Sequence, residues 1–274
     1  KDKADINRDG YVGKEELYLE KFLDQARHVE VQAARDNFGD VHAFIERDCT
    51  IQRRNQKLIE ESPSPFISAE VRPKLLDAAA RAVAACELTA LSTVEFLLLP
   101  DQKTFYFMEI NKRIQVEHPV TEELLGIDLI QLQIAIAFGE PMPKISNDFG
   151  SRHVIEARIN CEDAAQNFMP GEGLIARYEP PGGPGVRMDT YLTPMLQVGV
   201  NYDGLLAKLI ISSPSGRLAA INRMKRALGE LVIEGVPTTI SFHQKLLNDP
   251  IFAGGQEWFT TRYLETWIPK QKFN

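Results

Sequence analysis

Glu95, Glu109 and Asn111 are the residues of this chain best suited to hold a hard cation, and Arg113, Gln115 and Glu117 follow directly behind them in "FYFMEINKRIQVEHPVTEE". If Asp101 to Lys103 form a three-residue loop between "STVEFLLL" and "TFYFMEIN", Pro100 faces Thr104 and Glu95 falls opposite Glu109. The two-residue strand period then puts Asn111 on the same face. Two facing carboxylates on an otherwise apolar strand pair repel each other and resist desolvation, which a bound divalent cation relieves. Oxygen donors without cysteine or histidine suit magnesium or manganese, and magnesium usually arrives with nucleotide phosphates. A four-residue loop would instead shift the register and turn one glutamate to water. At the mouth of such a site a carboxylate can serve as general base and an arginine can hold an oxyanion. The competing reading of "RIQVEHPVTEE" is a solvated loop with a surface ion pair.

The elements that must position these groups follow from periodicity. "HVEVQAAR" (28–35) and "VHAFIERDC" (41–49) alternate like strands around the turn-rich "DNFGD", which predicts a hairpin. "SAEVRPKLLDAAARAVAACE" repeats Leu75, Leu76, Ala79, Ala80, Val83 and Ala84 at helical spacing, with Ser68 as N-cap. A second helix is predicted in "DLIQLQIAIAF", closed by Gly139 and Pro141, and "EPMPKISNDFGS" reads as a linker. Beyond it "HVIEARIN", "LIARYE", "GVRMDT" and "GLLAKLIISS" read as strands, with "PPGGPG" as a tight turn. Three helices are predicted to close the chain, in "RLAAINRMKRALGEL", "PTTISFHQKLLND" and "QEWFTTRYLETW".

Composition narrows the classes. The chain has 274 residues, 44% hydrophobic and 25% charged, with a formal net charge of −7, the make-up of a globular protein able to bury a large core. The acidic balance argues against a nucleic-acid surface, although the basic cluster "QRRNQK" suits a phosphate ligand. No apolar run approaches the ~20 residues of a membrane span, and the polar start is unlike a signal peptide. Cys49, Cys86 and Cys161 are odd in number and widely spaced, so they are expected to be core thiols in a reducing, intracellular compartment. The scattered histidines and Met188 and Met195 read as packing residues.

"FYFMEIN" followed by "RIQVEHPVTE", with "YLEKFLDQARHVEVQ", "ERDCTIQRRNQK", "VIEARINCED", "PGGPGVR" and "NYDGLLAKL" in that order, strongly resembles the biotin carboxylase family of ATP-grasp ligases. The resemblance implies an α+β fold: the C-terminal part of an ATP-grasp fold (13–145), a mixed or antiparallel sheet with flanking helices, followed by the biotin carboxylase C-terminal subdomain (151–274). It implies Glu20, Lys21 and Leu23 at the adenine, and His28, Gln52, Asn55 and Leu97 against the nucleotide. Glu95, Glu109 and Asn111 would hold the magnesium ions that bridge ATP, in agreement with the hairpin argument. Lys57, Arg113, Gln115 and Val116 would surround bicarbonate, Glu117 would deprotonate it, and Arg187 would stabilise the biotin enolate. The implied partners are a biotinylated carrier domain, a carboxyltransferase and a second copy of the chain in a homodimer, with neither nucleic acid nor membrane, in the cytoplasm or in a mitochondrial matrix or plastid.

The family's N-terminal domain and ATP-covering lid, with its glycine-rich loop, lie upstream of the matched region, so the resemblance implies the C-terminal half of a biotin carboxylase, inactive without the other half. The chain departs from the family at Asn55, where histidine is usual, at "LST" before Val94, at Lys112, and in "QVGVNYD", which lacks a proline before the tyrosine. An asparagine still donates to phosphate or ribose but carries no charge. Those departures keep open a second reading, a non-catalytic remnant or interface subunit of the same fold. A carbamoyl-phosphate synthetase relative is a further alternative, disfavoured by "RIQVEHP" and "PGGPGVR". A third reading comes from "DINRDGYVGKEE", where Asp5, Asn7, Asp9, Gly10 and Glu16 fit a calcium-binding EF-hand loop. Only "KDKA" precedes it, too short for the entering helix, and residues 13–23 already match the carboxylase pattern, so residues 1–12 are expected to be a divergent leader.

Overall fold

The computed structural model describes residues 21–199 and 203–273. Strands Arg27–Arg35 (β1), Val41–Ala43 (β2), Arg47–Arg53 (β3), Gln56–Ser62 (β4), Ala90–Leu98 (β5), Phe105–Asn111 (β6) and His153–Asn160 (β7) join Val186–Thr190 and Leu205–Ser213 in one nine-stranded sheet. The order across it is Val186–Thr190, Leu205–Ser213, β7, β4, β3, β1, β5, β6, with β2 beside β1. Every pairing in this sheet is antiparallel, which resolves the mixed-or-antiparallel expectation. The α+β fold is as the resemblance implied.

Alternation along each strand divides the sheet into two faces. One carries Val29, Val31, Val94, Phe96, Ile155 and Ala157, which join the main core with helices Val71–Ala85 (α1) and Arg217–Glu230 (α4). On α1 the buried stripe is Val71, Leu75, Ala79, Val83, which keeps Leu75, Ala79 and Val83 of the predicted face, whereas Leu76 and Ala80 are half-buried and Ala84 is exposed. The helix starts later than expected, with Glu70 at the N-cap, and Ser68 Oγ accepts from Val71 N at 3.3 Å. The opposite face is polar: Glu30, Gln32, Thr93 and Glu156 lie on it, all fully buried. Helices His118–Leu125 (α2) and Leu129–Ala137 (α3) cover it.

Several boundaries differ from expectation for identifiable reasons. "VHAFIERDC" is not one strand: the chain leaves the ladder at Phe44, whose side chain packs under α3 in a separate cluster. "LIARYE" also splits, Gly173–Leu174 pairing with Gln197–Val198 and Arg177–Glu179 with Val232–Glu234. The close of the chain holds one helix more than expected: Ile240–Leu246 (α5) stops early where Asp249 caps a separate helix Pro250–Gly254 (α6) through its carboxylate, and the last helix is only Tyr263–Trp267 (α7). The expected linker is fastened to the sheet by Met142 N to Asp36 Oδ2 at 2.9 Å and Asn147 Nδ2 to the Ala43 carbonyl at 2.8 Å. Cys86, expected in the core, is exposed at the end of α1, whereas Cys49 and Cys161 are buried. Met195 is likewise exposed. No helix among the described residues is long and apolar enough to cross a membrane.

Candidate functional site

The hairpin β5–β6 reaches its expected pairing by an unexpected route. Its loop has four residues, since Leu99 N donates to the Thr104 carbonyl at 2.9 Å and Leu98 pairs with Phe105. Continued unbroken, that register would set Glu95 opposite Met108. A bulge between Phe96 and Glu95 absorbs one residue and returns Glu95 to Glu109. Asn111 Nδ2 then donates to Glu95 Oε1 at 3.0 Å and Glu109 Oε1 at 2.9 Å, drawing both carboxylates to one point. Two carboxylates and an amide at the open edge of a cleft make a hard-oxygen set of the kind magnesium takes.

Glu95 also meets groups the sequence did not bring to it. His28 Nε2 stands 3.0 Å from Glu95 Oε2, Gln115 Nε2 donates to Glu95 Oε1 at 2.8 Å, and Gln52 Nε2 donates to His28 Nδ1 at 2.7 Å. Burial works to raise the Glu95 carboxyl, but His28, Lys57 and Gln115 outweigh it and hold it at about 2. His28, Glu30 and Glu95 converge closely enough to share an ion, but Glu30 is already committed to Lys57 and Arg47.

Lys57 is the hub. Its Nζ lies 2.5 Å from Glu30 Oε2, 2.6 Å from Glu117 Oε1 and 3.5 Å from Glu95 Oε1. Burial acts to depress its pKa, yet these carboxylates hold it well above the ordinary lysine value. Arg47 Nε takes the other Glu30 oxygen at 2.6 Å, and its guanidinium reaches Thr121 Oγ1 at 2.9 Å and Gln115 Oε1 at 3.3 Å, locking α2 to the sheet. Burial opposes ionisation of Glu30, but Lys57 and Arg47 keep it charged, with a pKa of about 2. Glu117, only 2% exposed, gives its second oxygen to Arg158 at 2.8 Å.

"RIQVEHPVTEE" is only partly a loop. Glu117 occupies the N-cap of α2, Pro119 sits in its first turn, and Gly126 closes it with φ 69°. The sequence reading set no helix here, although Pro119 just inside its start and Gly126 just past its end are the signals that could have found it. Likewise, Arg54 and Asn55 form a two-residue turn between β3 and β4 with φ 51° and 63°, a conformation that asparagine tolerates better than most residues.

His28, Gln52, Asn55, Lys57, Glu95, Leu97, Glu109, Asn111, Arg113, Gln115, Val116 and Glu117 line one open cleft of about 610 Å³. Two matches to family models cover the chain: the carbamoyl-phosphate synthase L chain, ATP binding domain, over residues 4–145, and the biotin carboxylase C-terminal domain over residues 156–266. A biotin carboxylase from Nostoc sp. is 49% identical over 244 residues, 89% of this chain and 54% of that protein. The chain belongs to the biotin carboxylase family. Among solved structures, the Campylobacter jejuni biotin carboxylase complex with β,γ-ATP superposes with a TM-score of 0.86 at 40% identity, over 90% of this chain and 54% of that one. The biotin carboxylase domain dimer of Hydrogenobacter thermophilus 2-oxoglutarate carboxylase, in complex with MgADP, ADP and bicarbonate, gives the same TM-score, identity and coverage. The chain spans about half the length of the curated relatives it matches.

Not every residue singled out from the sequence enters the cleft. Arg187 lines a neighbouring groove of about 760 Å³ with Arg152 and Arg223. There it donates to Asp189 and Glu122, each at 2.8 Å. Lys208 links the two regions, since its Nζ donates to the Val116 carbonyl at 2.9 Å and lies 3.5 Å from Asp189. Lys21 Nζ donates to the Tyr106 hydroxyl at 3.1 Å, and neither it nor Leu23 lines the cleft. Glu20 and the calcium-loop residues Asp5, Asn7, Asp9 and Glu16 lie outside the described residues. Sequence reasoning missed Glu30, Arg47 and Arg158. The alternation Val29, Glu30, Val31, Gln32 shows a polar strand face, and only tertiary packing reveals that this face is buried and charged.

Proposed function

We propose that this chain is the part of a biotin carboxylase that handles bicarbonate and the metal-bridged phosphates of ATP. The observation that carries the reading is the convergence of a hard-oxygen set, Glu95, Glu109 and Asn111, with Lys57, Arg113 and Glu117 in one cleft. A magnesium ion held by Glu95 and Glu109, with the Asn111 amide turned to present its oxygen, would neutralise phosphate charge in the transfer. In the family's reaction deprotonated bicarbonate attacks the γ-phosphorus of ATP and displaces ADP to give carboxyphosphate, which then breaks down to phosphate as its carboxyl passes to a biotin nitrogen that gives up its proton.

The roles of the chain's own residues follow from their surroundings. Glu117 is positioned as a carboxylate by Lys57 and Arg158, and either oxygen keeps a free lone pair to take the bicarbonate proton. Lys57 and the exposed Arg113 line the same cleft as Glu117 and favour an anion there. Arg187 supplies a fixed positive charge for the biotin enolate once a substrate group competes with Glu122 for one arm of the guanidinium. MgADP and bicarbonate in the Hydrogenobacter relative support the ligand assignment, and its domain dimer supports a homodimer here. The carrier domain and carboxyltransferase remain the partners this chemistry requires.

Titration calorimetry of the chain with Mg-ADP tests the reading. Binding that needs magnesium and weakens at least tenfold, about 1.4 kcal/mol, in Glu109→Gln is expected. Equal affinity with and without the metal would sink the assignment of Glu95, Glu109 and Asn111. A folded chain that binds no nucleotide would favour the non-catalytic reading instead.

A further inference from the structure

Behind Glu117 lies a pair of carboxyl groups that the chemistry above leaves unused. Glu60 on β4 stands directly opposite Glu156 on β7, and both are fully buried. Residues so paired have Cβ atoms about 5 Å apart, within reach of each other's side chains. Glu60 Oε1 accepts from Arg158 Nε at 2.6 Å. Among the described residues, Glu60 Oε2 and both oxygens of Glu156 have no hydrogen-bond donor. An ionised carboxylate with no donor in a dry interior is among the costliest states a protein can hold.

The surrounding charges cannot offset two such anions. β4 brings Lys57, which already serves Glu30 and Glu117. β7 brings Arg158, which divides itself between Glu60 and Glu117. The Leu205–Ser213 strand brings Lys208, whose Nζ is taken by the Val116 carbonyl and faces Asp189. The start of α2 adds Glu117, a further negative charge, and His118, whose imidazole burial disfavours charging. One proton, held between an oxygen of Glu60 and an oxygen of Glu156, satisfies two of the three bare oxygens and removes one negative charge from the pair.

We propose, resting on the reading of Glu117 as the base, that Glu60 and Glu156 share a single proton and act together as a positioning pair. With that proton in place the two glutamates carry one negative charge between them. Arg158 then keeps enough of its own charge to hold Glu117 Oε2. The pair touches no substrate and works only through Arg158.

Desolvation, opposed by Arg158 and reinforced by Glu117, pushes the Glu60 carboxyl up to about 7. Burial and the Glu60 charge raise Glu156 well above the carboxylate range. The folded chain therefore binds this proton more tightly than the unfolded chain. The stabilising contribution of the pair is full below the unfolded value of 4.5, and the part carried by Glu60 is lost as pH rises through about 7.

Infrared difference spectroscopy of the chain tests the pair directly. A protonated-carboxyl band is expected to persist at about pH 6, two units above the free-glutamate range, and to disappear in Glu156→Gln. The fall in unfolding midpoint between about pH 5 and about pH 8 should flatten in the same variant. In Glu117→Gln, which frees Arg158 for Glu60, the band should vanish at a lower pH than in the parent. Absence of the band in the parent, or its survival in both Glu156→Gln and Glu60→Gln, overturns the shared proton, and the parent spectrum decides even where a variant does not fold. An unmoved titration in Glu117→Gln overturns the positioning role. Failure of Mg-ADP to bind bears on the functional reading alone and leaves the spectra unaffected.

Discussion

Lys57 donates to Glu117 across 2.6 Å, and this bond ties strand β4 to the turn that opens α2. The same ammonium serves Glu30, so one cation supports two buried carboxylates from opposite sides of the cleft.

Replacing Lys57 with methionine should therefore cost about 3 to 5 kcal/mol, the range for removing one partner of a buried ion pair. Urea unfolding measures it. A loss below about 1 kcal/mol would show that Arg47 and Arg158 suffice for the two carboxylates.

Glu30 gives the opposite pH dependence from Glu60. Its folded pKa is about 2 against an ordinary 4.5, so its contribution is present above 4.5 and lost as pH falls toward 2. Comparing unfolding at about pH 5 and about pH 3 should show a steeper loss in the parent than in Glu30→Gln. Equal slopes would mean that Glu30 is not the ionised partner of Lys57 and Arg47.

Asn55→His should leave the fold within about 0.5 kcal/mol of the parent, because histidine also tolerates the left-handed conformation. It returns a ring nitrogen to the cleft wall, and Mg-ADP affinity should rise. Asn55→Val, a branched residue at φ 63°, should instead lower stability by about 1 to 2 kcal/mol. Thermal melts of the two variants distinguish a turn requirement from a ligand requirement at this position.

Leu75 is fully buried on the inner stripe of α1 and belongs to the main core. Leu75→Ala should cost about 2 to 5 kcal/mol through lost burial and the cavity left behind. Chemical denaturation provides the check, and Mg-ADP affinity at low denaturant should not change.

Much of the site was legible because it is local. Glu95, Glu109 and Asn111 lie on one hairpin, where strand period alone relates them, and Arg113 to Glu117 follow within one short segment. Their pairing was reached for an incomplete reason, since a longer loop and the bulge at Met108 cancel in register and neither leaves a sequence signature. The residues that went unread, Glu30, Arg47, Glu60, Glu156 and Arg158, come from strands distant in sequence whose polar positions look like solvated faces. Only α2, seated across those positions, turns them into an interior network. Resemblance gave Arg187 a role toward the biotin enolate but not its location, which is the adjoining groove, where Glu122 of α2 holds it.

The β4–β7 ladder joins residues covered by the first family match to residues covered by the second, in the middle of one sheet. Splitting the chain there would expose two long unpaired strand edges and prevent either piece from closing its core. Such a seam makes the two matched segments one folding unit, each completed by a strand that the other supplies. Chimaeras that cross at this ladder should aggregate, and those that keep β4 and β7 from one parent should not.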